Sequence, residues 1–200
     1  MGTREAIFAL NILLQKFCDQ RKDVFACFVD FEKAFDKVQH VKLLQILKNI
    51  GTDDKDIRVI KNLYWNQTAI VKIGDNYTDE IPIHRGVRQG CILSPTLFNV
   101  YSDQLFKKAL ERQPYGININ GELLNVIIYA DDTVILSDNI EGLQILLDRI
   151  HEVGEKMGIK INSNKTKFLV FSRDLHPDAK LQLNGVQVEK VDKMTYLGTV

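Results

Sequence analysis

Asp131 and Asp132 stand side by side between two runs of apolar and β-branched residues, in NVIIYADDTVIL (125–136). Adjacent carboxylates repel, and each costs free energy when taken from water unless something positive offsets its charge. The flanks "VII" and "TVIL" predict two strands joined by a tight turn, which would project the pair from a sheet edge. There a divalent cation is the natural compensation. A second pair, Asp53-Asp54, lies in the polar stretch TDDKD before a predicted helix. Capping and the helix dipole account for those charges without any ligand. Asp30 closes another apolar run, VFACFV (24–29), which reads as a buried strand. If that strand pairs with the hairpin, three carboxylates converge. Hard oxygen ligands with open coordination positions suit magnesium or manganese, and two such ions clamp the attacking and leaving oxygens of a nucleotidyl transfer.

The elements that must position these residues are legible from periodicity. Ile7, Leu10, Leu14 and Phe17 recur at helical spacing from Arg4 onward. KVQHVKLLQILKNIG places Val41, Leu44, Leu47 and Ile50 on one helical face, with Gly51 as its C-terminal stop and a further helix expected beyond it. AIVKIGDNYTDEIPI alternates around Gly74-Asp75-Asn76 as a hairpin does, and SPTLFNVYSDQLFKKAL opens a helix with Ser94 as N-cap and Pro95 in its first turn. NIEGLQILLDRIHEVGEKMG is amphipathic through Leu143, Leu146, Ile150 and Val153; KFLVFS and an Asn184-Gly185 hairpin follow. Helices and strands interleave throughout, with no internal repeat or linker, which defines an α+β domain.

Composition bounds the function. The chain has 200 residues, 45% of them hydrophobic, with 26 basic and 26 acidic side chains that cancel. Bulk charge therefore does not announce a polyanion partner, and any nucleic-acid contact must come from local geometry. Cys18, Cys27 and Cys91 are odd in number and widely spaced, which fits neither a disulfide framework nor a zinc site and points to a reducing, intracellular compartment. No apolar stretch approaches the length of a bilayer span, so no membrane association is expected.

The ordered set FVDFEKAFD, GVRQGCILSPTLFNVY, YADD, GIKINSNKTKFLVFS and YLG resembles the palm of a reverse transcriptase, specifically that of non-LTR retrotransposons, and the resemblance covers essentially the whole chain. It implies a polymerase palm with an antiparallel sheet and packed helices over residues 1–200, beginning after the fingers motifs and ending at a primer-grip-like hairpin. By this resemblance Asp30, Asp131 and Asp132, with the backbone carbonyl of Phe31, hold two Mg2+ or Mn2+ ions, Asp132 being the less direct ligand. Phe35, five residues after Asp30, is the floor beneath the incoming sugar that excludes a 2′-hydroxyl; a plain core phenylalanine is the competing account. Gln89 and Gly90 match the pair that contacts the incoming nucleotide. Lys33 and Arg88 are candidate triphosphate contacts, against a reading as solvated surface. Lys165 resembles the lysine that protonates departing pyrophosphate, against a loop lysine. Tyr129 would support the primer end, and Tyr196, Leu197 and Gly198 resemble the hairpin that grips it.

The implied activity is metal-dependent addition of dNTPs to a DNA primer 3′ end on an RNA template during retrotransposition. The implied location is the nucleus, with cytoplasmic assembly. Fingers, thumb and endonuclease are expected on a longer polypeptide, so these 200 residues alone should extend a primer poorly. An RNA-dependent RNA polymerase palm is the rival enzyme, disfavoured because an aromatic at position 35 would crowd a ribose. The rival of another class is a decayed or repurposed palm that only binds nucleic acid or protein.

Overall fold

The computed structural model describes residues 3–130, 132–172, 176 and 178–196, without the side chains of residues 3, 4, 6, 9 and 18. The chain runs α1 (Thr3–Asp19), β1 (Val24–Val29), α2 (Ala34–Lys37), α3 (His40–Asn49), α4 (Asp54–Tyr64), β2 (Gln67–Ala69), β3 (Lys72–Ile73), β4 (Asn76–Tyr77) and β5 (Ile81–Ile83). It continues through α5 (Ser94–Leu110), β6 (Ile117–Ile119), β7 (Glu122–Leu124), β8 (Val126–Tyr129), β9 (Asp132–Ser137), α6 (Ile140–Met157), β10 (Lys167–Phe171), β11 (Leu181–Leu183) and β12 (Val186–Lys190).

A six-stranded sheet of order β11-β12-β10-β1-β9-β8 organises these elements. All of β1 is buried, because both of its faces are covered. Phe25, Cys27, Val29 and Phe31 belong to the core beneath α3, α5 and α6, where Leu43, Phe98, Tyr101, Leu146 and Ile150 pack. Val24, Ala26 and Phe28 face the other way, toward Leu10, Leu13 and Phe17 of α1 and toward Tyr196. A fully buried strand reads as a continuous apolar run rather than an alternating one, which is what VFACFV does. Each such side chain contributes roughly 1.5–3 kcal/mol when removed from water. Burial pushes the Cys27 thiol pKa up, as expected of an inert core cysteine.

Local chemistry explains the helix ends. Asp53 caps α4 by accepting the Lys55 amide at 2.7 Å, so the second aspartate pair does the capping work its position predicts. Asn139 accepts from the Gly142 amide at 2.6 Å to start α6, and Gly158 ends it in a left-handed conformation.

Three details depart from the sequence reading. In α3 the buried residues are His40, Leu43, Ile46 and Leu47, while Val41 and Ile50 are exposed; the helix is rotated because it packs against both α4 and α5. The N-cap of α5 is Leu93, and Ser94 is turned inward, donating from Oγ to the Arg88 carbonyl at 2.6 Å and meeting the Tyr64 hydroxyl at 3.2 Å. The sheet is antiparallel from β10 through β1 and β9 to β8, but β12 pairs with β10 in parallel. Among the described residues, no helix is long and apolar enough to cross a membrane.

Two phenols tie pH to stability. Burial raises Tyr101, whose hydroxyl donates to the Met157 carbonyl at 2.5 Å, to a pKa of about 12. Tyr196 is also raised to about 12, first by burial and then by the negative charge of Asp132. The folded state therefore holds these protons more tightly than the unfolded chain. Their contribution is complete below pH 10 and is lost as pH rises toward 12. Denaturant unfolding measured from pH 9 to 12 is expected to show that decline, with a shallower slope in Tyr101→Phe.

Candidate active site

Register brings the carboxylates together. In the β1–β9 ladder Val29 lies opposite Thr133, so Asp30, which follows Val29, and Asp132, which precedes Thr133, leave the paired strands at the same end. Side-chain parity places both on the face shared by Phe28 and Val134, the face that α1 and Tyr196 also occupy. The Tyr196 phenol, raised first by burial and then by the negative charge of Asp132, lies close to that carboxylate. Tyr129 and Asp132 pair across the β8–β9 hairpin, and Ala130 at its tip has φ 54°, a left-handed conformation that costs a non-glycine residue roughly 1–2 kcal/mol. Asp131 lies outside the described residues, as do Leu197 and Gly198. Among the described residues, no cluster of three or more His, Cys, Asp or Glu side chains forms a metal cage; Asp30 and Asp132 supply two carboxylates of the motif.

The backbone of Asp30 is clamped by the segment 160–166. The Asp30 amide donates to Thr166 Oγ1 at 3.3 Å, and its carbonyl accepts from the Asn162 amide at 2.7 Å. Glu32 donates to the Lys160 carbonyl at 2.8 Å, which completes a bridge between Phe31 and Ile161. Because residues 30 and 32 bond to that segment, the carbonyl of Phe31 turns the other way, toward the side on which β9 lies. Thr166 is fully buried. Lys165 precedes it, exposed, in the turn that carries the clamp.

A second set of backbone bonds joins the remaining candidates. Val87 donates to the Phe35 carbonyl at 2.9 Å and Gly86 to the Val38 carbonyl at 2.8 Å, which brings Arg88, Gln89 and Gly90 alongside the loop after β1. Gly86 has φ +97°, and a Cβ there would meet the Asp36 carbonyl oxygen at 3.1 Å, so close approach of two chains requires glycine. His40 holds the same segment through Nε2, 2.7 Å from the Gly86 carbonyl. Phe35 is half-buried and stacks on Phe98, ring centroids 4.5 Å apart at 18°. One face of its ring is thus core while the side chain keeps some exposure, so the two accounts of this residue are not exclusive. Lys33 is exposed in a left-handed conformation before α2. Gln89 and Gly90 are exposed. Arg88 spends two donors on protein, Nε to the Gln67 side-chain oxygen at 3.2 Å and Nη2 to the Leu63 carbonyl at 3.0 Å, and as a guanidinium it has others.

A mixed sheet backed by helices, with paired carboxylates at the end of adjacent antiparallel strands, defines a polymerase-type palm. The model for "Reverse transcriptase (RNA-dependent DNA polymerase)" matches residues 3–200, and the chain belongs to that family. It is 30% identical over 166 residues, 82% of its length, to the Retrovirus-related Pol polyprotein from type-1 retrotransposable element R2 of Popillia japonica. It is 26% identical over 204 residues, 98% of its length, to the RNA-directed DNA polymerase from mobile element jockey of Drosophila melanogaster. The chain spans 23% and 22% of those two proteins. In fold it is similar to telomerase from Candida tropicalis solved in complex with a TWJ fragment of telomeric RNA, with a TM-score of 0.65 at 17% identity over 92% of this chain and 31% of that one.

Sequence reading missed Thr166, Asn162, Gly86 and His40. Their partners lie far along the chain, 136 residues for Thr166 and Asp30 and 46 for His40 and Gly86, and no local pattern reports such distances. Replacing Thr166 with Val keeps the shape and removes the acceptor. The expected outcome is a loss of roughly 1–3 kcal/mol in stability and faster hydrogen exchange at the Asp30 amide, read by NMR.

Proposed function

We propose that this chain is the palm of a non-LTR retrotransposon polymerase and contributes the active site that adds dNTPs to a DNA primer 3′ end on an RNA template. The observation that carries the reading is the emergence of Asp30 and Asp132 from one end of adjacent strands, on one face. Similarity to the R2 and jockey polymerases supports the substrate class.

The donor set fits magnesium or manganese, since carboxylates and a peptide carbonyl are hard oxygen ligands. Asp30, Asp131, Asp132 and the Phe31 carbonyl would hold two such ions. When bound, these would activate the primer hydroxyl and neutralise charge on the departing pyrophosphate. The chain's own side chains would do the rest. Phe35, braced by Phe98, would floor the sugar and exclude a 2′-hydroxyl. Lys33 and the remaining Arg88 donors would offset triphosphate charge, while Gln89 and Gly90 would let backbone approach the nascent base pair. Lys165, beside the clamp on Asp30, would give its ammonium proton to the pyrophosphate oxygen. Tyr129, Tyr196, Leu197 and Gly198 would support the primer terminus.

In a polyprotein carrying this chain, Asp30→Asn is expected to lower primer extension by roughly a hundredfold or more, whereas Asp53→Asn leaves it unchanged. Manganese-induced NMR broadening around Asp30 should disappear in Asp30→Asn and in Asp131→Asn. Equal loss of that broadening in Asp53→Asn would overturn the metal assignment.

Phe35→Val separates the two accounts of the ring. Overpacking against a rigid ring costs on the order of 1–3 kcal/mol, so relief of the clash should raise kcat/KM for ribonucleotides roughly tenfold to a hundredfold relative to deoxynucleotides. A purely structural ring would instead depress both activities together, with a lower melting temperature.

A further inference from the structure

The chain's sole tryptophan is 43% exposed, although a ring of that size is ordinarily covered. Trp65 follows α4 and lines a cavity of about 520 Å3 together with His40, Val41, Tyr64, Gln67 and His84. Val41 is 67% exposed there, so the apolar residue that the rotation of α3 leaves out of the core lines this cavity instead. The Lys61 ammonium sits over the indole, 5.0 Å from its centroid. None of the lining residues is acidic. The wall is tied to the nucleotide side of the site through Gln67, whose side chain accepts from Arg88 and donates to the Leu63 carbonyl at 2.6 Å.

We infer that this cavity is a stacking site for a base of single-stranded RNA, one that holds unpaired template beside the segment Arg88–Gly90. The inference rests on the polymerase reading for the identity of the strand, but its chemistry is local. The indole face of Trp65 not covered by Lys61 and the exposed His84 ring can stack bases of any sequence, the Asn66 amide and Thr68 hydroxyl can bond to base edges, and the cations Lys61 and Arg88 stand beside lining residues where phosphates would pass. An apolar peptide would use the faces but not the cations, and duplex RNA has no splayed base to offer.

Because Trp65 is the only indole, its emission reports the cavity without any engineering. Titrating the 200-residue chain with a 12-nucleotide oligouridylate, in buffer without divalent metal, is expected to give saturable quenching. Duplex RNA of the same length should quench weakly. Anisotropy of a labelled oligouridylate should show affinity falling roughly tenfold in Trp65→Ala and much less in Trp65→Phe, which keeps an aromatic face. Circular dichroism confirms that each variant folds, and the unmodified chain's quenching stands even if Trp65→Ala does not fold. RNA binding by anisotropy with unchanged Trp65 emission would overturn the proposal, as would equal losses in the Phe and Ala variants. Quenching by an amphipathic peptide but not by RNA would also overturn it, in favour of a protein partner. The manganese experiment at Asp30 reads the polymerase assignment separately, so failure of one is not failure of the other.

Discussion

Burial of β1 on both faces is the constraint from which the site follows. A strand with no exposed face cannot satisfy its peptide groups with water, so both of its edges must be paired along their length. β9 takes one edge and β10 the other. That pairing forces the ends of β1 and β9 to coincide, and with them Asp30 and Asp132, against the repulsion of their charges. The apolar contacts that hold the strands are spread over two cores. Tyr196 lies on the same face, its phenol raised first by burial and then by the negative charge of Asp132.

Around those charges the positioning is done by backbone more than by side chains. Residues 160–166 bond to the peptide groups of Asp30 and Glu32, and residues 86–87 bond to those of Phe35 and Val38. Peptide hydrogen bonds fix the path of a loop whatever side chains it carries. Exposed residues such as Lys33, Gln89, Gly90 and Lys165 then sit on braced turns rather than free ones. For the roles proposed for them that matters, because misplacement of a reacting group by about 1 Å can cost on the order of a hundredfold in rate.

Much of this was legible before any coordinates. The buried strand, the hairpin around Asp132, the amphipathic α6 and the innocuous Asp53-Asp54 pair follow from periodicity and capping, which are local properties. Val41, Leu44, Leu47 and Ile50 satisfy helical spacing in α3 as well as His40, Leu43, Ile46 and Leu47 do, so spacing alone does not pick the buried face. Only the positions of α4 and α5 choose between the two stripes. Ser94 has the right residue type for a cap, but a buried hydroxyl near Arg88 and Tyr64 has better partners elsewhere. The parallel β12 pairing is likewise a property of the assembled sheet. What remained invisible consists of contacts between distant segments.

The balance of charge gives the fold its last consequence. With 26 basic and 26 acidic residues the chain gains little from counterion release, which supplies most of the affinity in strongly basic nucleic-acid binders. Three of its cations stand singly beside specific features: Lys61 over an indole, Arg88 at the loop next to Gln89, and Lys165 beside the clamp on Asp30. Single charges orient a polyanion but do not track it. In the proposed function, affinity would then come from stacking and from groups that meet a nucleotide only when it is correctly placed. Such an arrangement would discriminate in the site rather than by gripping a duplex through its phosphates.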